Sequence, residues 1–140
     1  MALRSKAKSE LLKSVPLFEH CSRRELSRIA AITDEVSVDG GKVLITEGER
    51  GREFFVIISG EVEVRRKGRK VATLGPGTYF GEIALLSQRP RTATVKAITP
   101  LRVLVIADRE FVDLLDAVPE LWLKVARSLA ERVSADEQGS

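Results

Sequence analysis

The sequence has one cysteine, one histidine, one tryptophan and one methionine in 140 residues. Cys21 alone can close no intramolecular disulfide and no cysteine-based metal cluster, which excludes a disulfide scaffold and fits a reducing compartment. His20 has no second imidazole with which to share a metal, so no metal site is expected and a small metal-dependent β-barrel enzyme is disfavoured. No paired nucleophile and base stands out, so no catalytic residue is assigned and a non-enzymatic role is expected. The opening stretch MALRSKAKSELLKSV lacks the apolar run of a secretory signal, and nowhere do 18 apolar residues follow one another; the expectation is a cytoplasmic chain with no membrane partner. Charge of one sign is lacking too. The 23 Lys and Arg stand among 20 Asp and Glu and leave only +3, so nucleic acid is not an expected partner.

What is present points to one globular domain: 44% hydrophobic and 31% charged residues, at a length that buries a single core. Leu11, Leu12, Val15, Leu17, Phe18, Leu26 and Ile29 recur at helical spacings, broken at Pro16 to Ser22, which gives two helical pieces. Ser22 with Glu25 three residues on has the form of a capping box, so a helix is expected from Arg23 to about Ile32. The period then shortens. Residues 43–46, 54–59, 62–66, 71–74, 92–97 and 101–106 read as strands, most of them set off by glycine-bearing turns. Val62 and Val64 alternate with Glu61, Glu63 and Arg65, as in a strand with one wet face. Helical periodicity returns over 110–116 and again after Pro119, where Leu121, Val125, Leu129 and Val133 form a stripe beside Trp122, Ala126 and Ala130. The fold class expected is mainly β, a barrel flanked by α-helices.

The chemistry gathers in residues 79–95, YFGEIALLSQRPRTATV. Gly81 lets the backbone approach a ligand closely, and the run from Glu82 to Leu86 is long enough for about one helical turn. The first N–H groups of such a turn have no internal partner and suit an anion. Arg91 can meet the same anion with a paired donor fork. Glu82 repels phosphate, but its carboxylate accepts hydrogen bonds from hydroxyls such as those of a ribose.

These residues carry a family resemblance. The run FGEIALLSQRPRTATV is similar to the phosphate-binding cassette of cyclic nucleotide-binding domains, and GGKVLITEGERGREFFVIISGEVEV resembles that family's glycine-punctuated strands. The resemblance covers about residues 10 to 133. It implies a jelly-roll β-barrel of the double-stranded β-helix type, with N-terminal helices and a C-terminal helical lid. The division it implies is a tail at 1–9, one domain over 10–133 and a flexible tail at 134–140. Within the domain come helices at 10–33, the barrel at 34–106 with the cassette at 80–95, and the C-terminal helices at 110–133.

Carried over by position, the resemblance implies that Glu82 binds the ribose 2′-hydroxyl, Gly81 gives backbone contact beside the sugar and Arg91 pairs with the cyclic phosphate. The N–H groups of Ile83 and Ala84 complete the cradle, and Thr92, followed by Ala93, adds a hydroxyl or N–H. Val64, Val71 and Ala72 line the base, and Arg132 on the lid caps the purine. The implied ligand is cAMP, with cGMP as the alternative through Thr92; no further cofactor is implied. Two departures from the family's pattern bear on affinity: Arg52 stands where many relatives have an acidic residue, and Gln88-Arg89 replaces small residues before the proline. A homodimer through the C-terminal helix is a further expectation. The alternatives are a degenerate structural relative that pairs through the helical stripe, or the effector part of a transcription regulator. The second would need a helix-turn-helix, for which the residues after Val133 are too few.

Overall fold

The computed structural model describes residues 2–87 and 89–139, without the side chains of Ile83 and of residues 132–139. Two antiparallel four-stranded sheets face each other, with helices packed on the outside of one of them. The elements are α1 (Ser5–Lys13), a 3-10 turn at Pro16–Phe18, α2 (Arg23–Ala31), β1 (Asp34–Val38), β2 (Val43–Ile45), β3 (Glu53–Ser59), β4 (Val62–Arg66) and β5 (Arg69–Leu74). They continue with β6 (Tyr79–Phe80), a 3-10 turn at Glu82–Leu85, β7 (Thr94–Ala97), β8 (Leu101–Ala107), α3 (Asp108–Ala117) and α4 (Pro119–Gly139). The strand orders are β1-β8-β3-β6 and β2-β7-β4-β5. This is the expected mainly β, helix-flanked class, built as the facing sheets of a jelly roll and not as one continuously bonded barrel.

The first sheet is apolar on both faces, which explains the unbroken run FFVII in β3. Phe55 and Ile57 point at the second sheet, with Leu101, Val103 and Val105 of β8. Phe54 and Val56 point the other way, with Leu104 and Ile106, into a layer formed by Leu12, Phe18, Ile29, Phe111 and Leu121. Phe18 stacks on Phe54 at 6.0 Å between ring centres and tilts against Phe111 at 5.8 Å. The second sheet has one dry face: Val62 and Val95 are buried, while Arg65 and Lys96 look outward.

Ser22 caps α2 as the sequence predicts: its hydroxyl accepts from Glu25 N at 3.2 Å and Glu25 Oε1 accepts from Ser22 N at 2.8 Å. Glu25 is only 7% exposed and also pairs with Lys124, so α4 is tied to α2.

Several expectations need correction. α1 starts at Ser5, inside the stretch read as a tail, and buries Leu12. β1 and β6 are strands that the period count missed, and β7 begins at Thr94, leaving Thr92 and Ala93 in the preceding loop. α3 starts at Asp108, two residues earlier than expected, and α4 continues to Gly139, through residues expected to be a flexible tail. The stripe on α4 is used within the chain: Leu121 and Val125 are buried in its own core, with Leu129 packed against it. It is Trp122 and Leu123 that α4 turns outward, at 42% and 62% exposure.

Candidate functional site

A cavity of about 650 Å³ opens between the 3-10 turn, residues 89–93 and the β4–β5 hairpin. Its wall includes Val64, Val71, Ala72, Gly81, Glu82, Ala84, Arg91, Thr92 and Ala93, which brings together nine residues singled out from the sequence. Arg132 lies on α4 and Ile83 within the 3-10 turn, but both side chains fall outside the described residues. Sequence reasoning missed Arg66, Ile45, Leu74 and Phe80, which also line the space. Arg66 is exposed and meets the cavity at its rim, two residues beyond Val64 on the same strand.

Main-chain pairing places Arg91. Its N–H donates to Glu49 O at 2.7 Å and its carbonyl accepts from Gly48 N at 2.8 Å, joining the loop to the turn after β2. Its side chain then runs between two glycines. A Cβ on Gly51 would lie 2.4 Å from Arg91 Nε, and one on Gly81 would lie 2.7 Å from Arg91 Nη1. Gly81 also has φ +83°, a left-handed conformation that other residues rarely adopt. The fork rests on carbonyls: Nη2 donates to Glu53 O at 2.7 Å, and Nη1 makes a long 3.5 Å contact with Gly81 O.

Among the described residues Arg91 has no ion-pair partner. Burial pulls its guanidinium below the ordinary arginine range, partly offset by the nearby Glu53 charge. Arginine keeps its proton all the same, so the cavity wall carries a partly desolvated cation without a matching carboxylate. Such a cation gains most from an anionic ligand.

Glu82, half-buried, opens the 3-10 turn on the same wall. The Ala84 N–H donates to Gly81 O at 3.1 Å and closes that turn. The apolar side of the cavity has its own local cause. Register slips between Val64↔Ala72 and Arg65↔Lys70, leaving Val71 as a bulge residue. A bulge breaks the strict alternation, so consecutive Val71 and Ala72 both reach the cavity. Val71 is 53% exposed, an apolar shelf open to whatever enters. Arg52 lines a neighbouring hollow with Asp108 and Arg109 and is not on this wall.

A β fold of two facing sheets with an anion-ready arginine, a carboxylate and an apolar shelf around one cavity defines a small-molecule-binding domain. Residues 35–117 match the family model described as cyclic nucleotide-binding domain, and the chain belongs to that family. It is 46% identical over 110 residues to a cAMP-dependent protein kinase regulatory subunit of Yarrowia lipolytica, covering 76% of this chain and 29% of that one. It is 37% identical over 105 residues to a cGMP-dependent protein kinase of Caenorhabditis elegans, covering 71% and 14%. The chain thus spans less than a third of the length of these relatives.

Among solved structures, the N-terminal domain of a transcriptional regulator from Streptomyces coelicolor A3(2) superposes with a TM-score of 0.85 at 28% identity, covering 93% of this chain and 94% of that one. The cAMP-bound PfPKA-R gives 0.69 at 29% identity, covering 91% and 46%. The chain is a cyclic nucleotide-binding domain with a jelly-roll fold.

Proposed function

We propose that the cavity binds cAMP and that the domain acts as a ligand-responsive switch. The observation that carries this reading is Arg91: a half-buried guanidinium held between Gly51 and Gly81, its fork on two main-chain oxygens, facing the cavity without a carboxylate partner. The cyclic phosphate pairs with Arg91 and with N–H groups at Ile83 and Ala84, the latter by sharing the proton it gives Gly81 O. Glu82 accepts from the ribose 2′-hydroxyl beside Gly81. The base lies on Val64, Val71 and Ala72, while Thr92 and Ala93 close the cassette side. Adenine is favoured by the relatives named as cAMP-dependent regulatory subunits, at 46%, 40% and 37% identity.

Binding shifts α4, whose Arg132 then covers the base, and the shift is the output. The exposed Trp122 and Leu123 support a homodimer contact on the outer face of α4. A cytoplasmic location belongs to the same reading; among the described residues no helix is long and apolar enough to cross a membrane.

Calorimetric titration with cAMP, cGMP and 5′-AMP tests the reading. One-site binding of a cyclic form, tighter than 5′-AMP, is expected. Absence of heat and of thermal stabilisation with both cyclic nucleotides would refute it.

A further inference from the structure

The single imidazole of this chain has no second histidine to join it, but the fold surrounds it with carboxylates. His20 stands in the short segment between the 3-10 turn at Pro16–Phe18 and α2, with Glu19 beside it in the chain. α4 brings Glu131 to the same point from 111 positions away. His20 Nε2 lies 3.0 Å from Glu131 Oε2, 3.2 Å from Glu131 Oε1 and 3.4 Å from Glu19 Oε1. One ligand atom from each of the three residues falls within 4.8 Å of the other two.

Hydrogen bonding alone serves this group poorly. Nε2 carries at most one proton and here faces three carboxylate oxygens on two side chains. Two carboxylates that converge on one nitrogen also repel each other, a cost that a cation among them removes. The spacing suits a metal ion. Bonds of about 2.0 to 2.2 Å in a tetrahedral shell set neighbouring ligand atoms roughly 3.3 to 3.6 Å apart, and the nearest oxygens of the two carboxylates lie 3.0 and 3.4 Å from Nε2.

Both sides of the cluster are anchored. Phe18 is buried and stacked on Phe54, the Cys21 N–H donates to Phe18 O at 3.0 Å, and the Ser22–Glu25 box follows directly. Glu131 rides on a helix fixed by buried Leu121 and Val125 and by the pairing of Lys124 with Glu25. The side chains of His20, Glu19 and Glu131 are 32%, 49% and 52% exposed, so an ion reaches them directly from solvent.

We infer that Glu19, His20 and Glu131 form a site for a divalent transition-metal ion that clamps α4 to the segment before α2, with water completing the shell. Imidazole together with carboxylates suits Zn²⁺ and its first-row neighbours, whereas Mg²⁺ and Ca²⁺ take oxygen ligands. The site stands apart from the nucleotide cavity and does not depend on it. Because α4 is the helix proposed above to move, a metal ion here is a second input on that helix.

The test is calorimetric titration with Zn²⁺ of wild type, His20→Ala, Glu131→Gln, Glu19→Gln and Cys21→Ser, with Mg²⁺ as the control. Each chain is also unfolded thermally with and without Zn²⁺. Wild type should bind one Zn²⁺ per chain and gain about 4 °C or more in Tm at free Zn²⁺ about a hundredfold above Kd. His20→Ala, Glu131→Gln and Glu19→Gln should each weaken Zn²⁺ by about tenfold or more, while Cys21→Ser, which removes the neighbouring thiol as a rival ligand, changes it by less than about threefold. Without metal the Tm of the three ligand variants should stay within about 3 °C of wild type, since all three side chains are solvent-accessible. Absence of Zn²⁺ binding, unchanged affinity in His20→Ala or Glu131→Gln, or loss of binding in Cys21→Ser would overturn the site. Mg²⁺ binding as tightly as Zn²⁺ would reduce the cluster to a patch of acidic charge and overturn it equally.

Discussion

Gly51→Ala isolates the role of Arg91 without touching a residue on the cavity wall. A Cβ at position 51 would come 2.4 Å from Arg91 Nε, 2.5 Å from Cζ and 2.8 Å from Cδ. Gly51 does not have a left-handed φ, so alanine is not strained there, and the overlap falls on a side chain that can swing away. The fold should persist, while the fork leaves Glu53 O and Gly81 O. Each charge-assisted hydrogen bond to the phosphate contributes about 1.5 to 3 kcal/mol. Losing one or more of them weakens binding by at least about tenfold, and by roughly a hundredfold if about 3 kcal/mol is lost.

Calorimetric titration with cAMP of wild type, Gly51→Ala, Arg91→Ala and the double variant, with thermal unfolding of each, forms the cycle. Arg91→Ala alone should cost at least about tenfold with the fold intact. Because the three atoms nearest that Cβ all belong to Arg91, the double variant should match Arg91→Ala within about twofold. Wild-type affinity in Gly51→Ala, or full additivity in the double variant, would refute the reasoning.

Three further outcomes are expected. Gly60→Ala should lower Tm by about 10 °C or more, because Gly60 has φ +91° and a Cβ there would lie 2.4 Å from Pro100 O, on backbone that cannot swing aside. Glu25 should sharpen the acid limb of stability. Burial raises its carboxyl, but hydrogen bonds from Lys124 and Ser22 outweigh that and hold it below the ordinary 4.5. Its contribution is therefore complete above that value and lost as pH falls through the depressed folded one. Glu25→Gln should flatten that limb and cost about 1 to 2 kcal/mol at neutral pH, read by denaturant unfolding at several pH values. Cys21 should react slowly with thiol reagents. Burial first, then the Glu25 charge, with Lys124 opposing, pushes its thiol from 9.0 to about 11, so its thiolate fraction near pH 8 falls by about a hundredfold. Alkylation of the native chain at the rate of an unfolded control would contradict that placement.

Much of the fold was readable because local signals were real ones. The Ser22–Glu25 box is present in both of its hydrogen bonds, and Val62 to Arg66 is a strand as its apolar–polar spacing predicted, buried at Val62 and exposed at Arg65 and Arg66. Element starts that lacked such a signal were misplaced for a physical reason. α1 and α3 begin after Arg4 and Ala107, neither of which makes a side-chain cap, so nothing in the sequence marks them. β1, DEVSV, is mostly exposed and is a strand because it pairs with β8 across 34↔105 to 38↔101, a partner local periodicity cannot supply. In the site, Gly81, Glu82 and Arg91 were legible from their residue types, and the wall at Val64, Val71 and Ala72 came only through the family resemblance. The bulge that turns both Val71 and Ala72 inward was not legible, because register is set between strands. Nor was the carbonyl seat of Arg91 legible, since Glu53 lies 38 positions away. The tie between Glu25 and Lys124 spans 99 positions and was equally out of reach.

Three consecutive residues of β3 face three different parts of the molecule. The Glu53 carbonyl holds the Arg91 fork, Phe54 stacks on Phe18 in the helical layer, and Phe55 stacks on Phe80 at 4.9 Å between the sheets. For anyone re-engineering this domain as a biosensor, those positions form a single design variable. A substitution meant to retune helix packing at Phe54 acts one residue from the carbonyl that seats Arg91, and any coupling between the two would be reciprocal, so a ligand on the proposed Arg91 site would load the aromatic stack to the same extent. A fluorophore meant to report occupancy without perturbing it is better carried on the wet face of the second sheet, at Arg65 or Lys96, than anywhere along this strand.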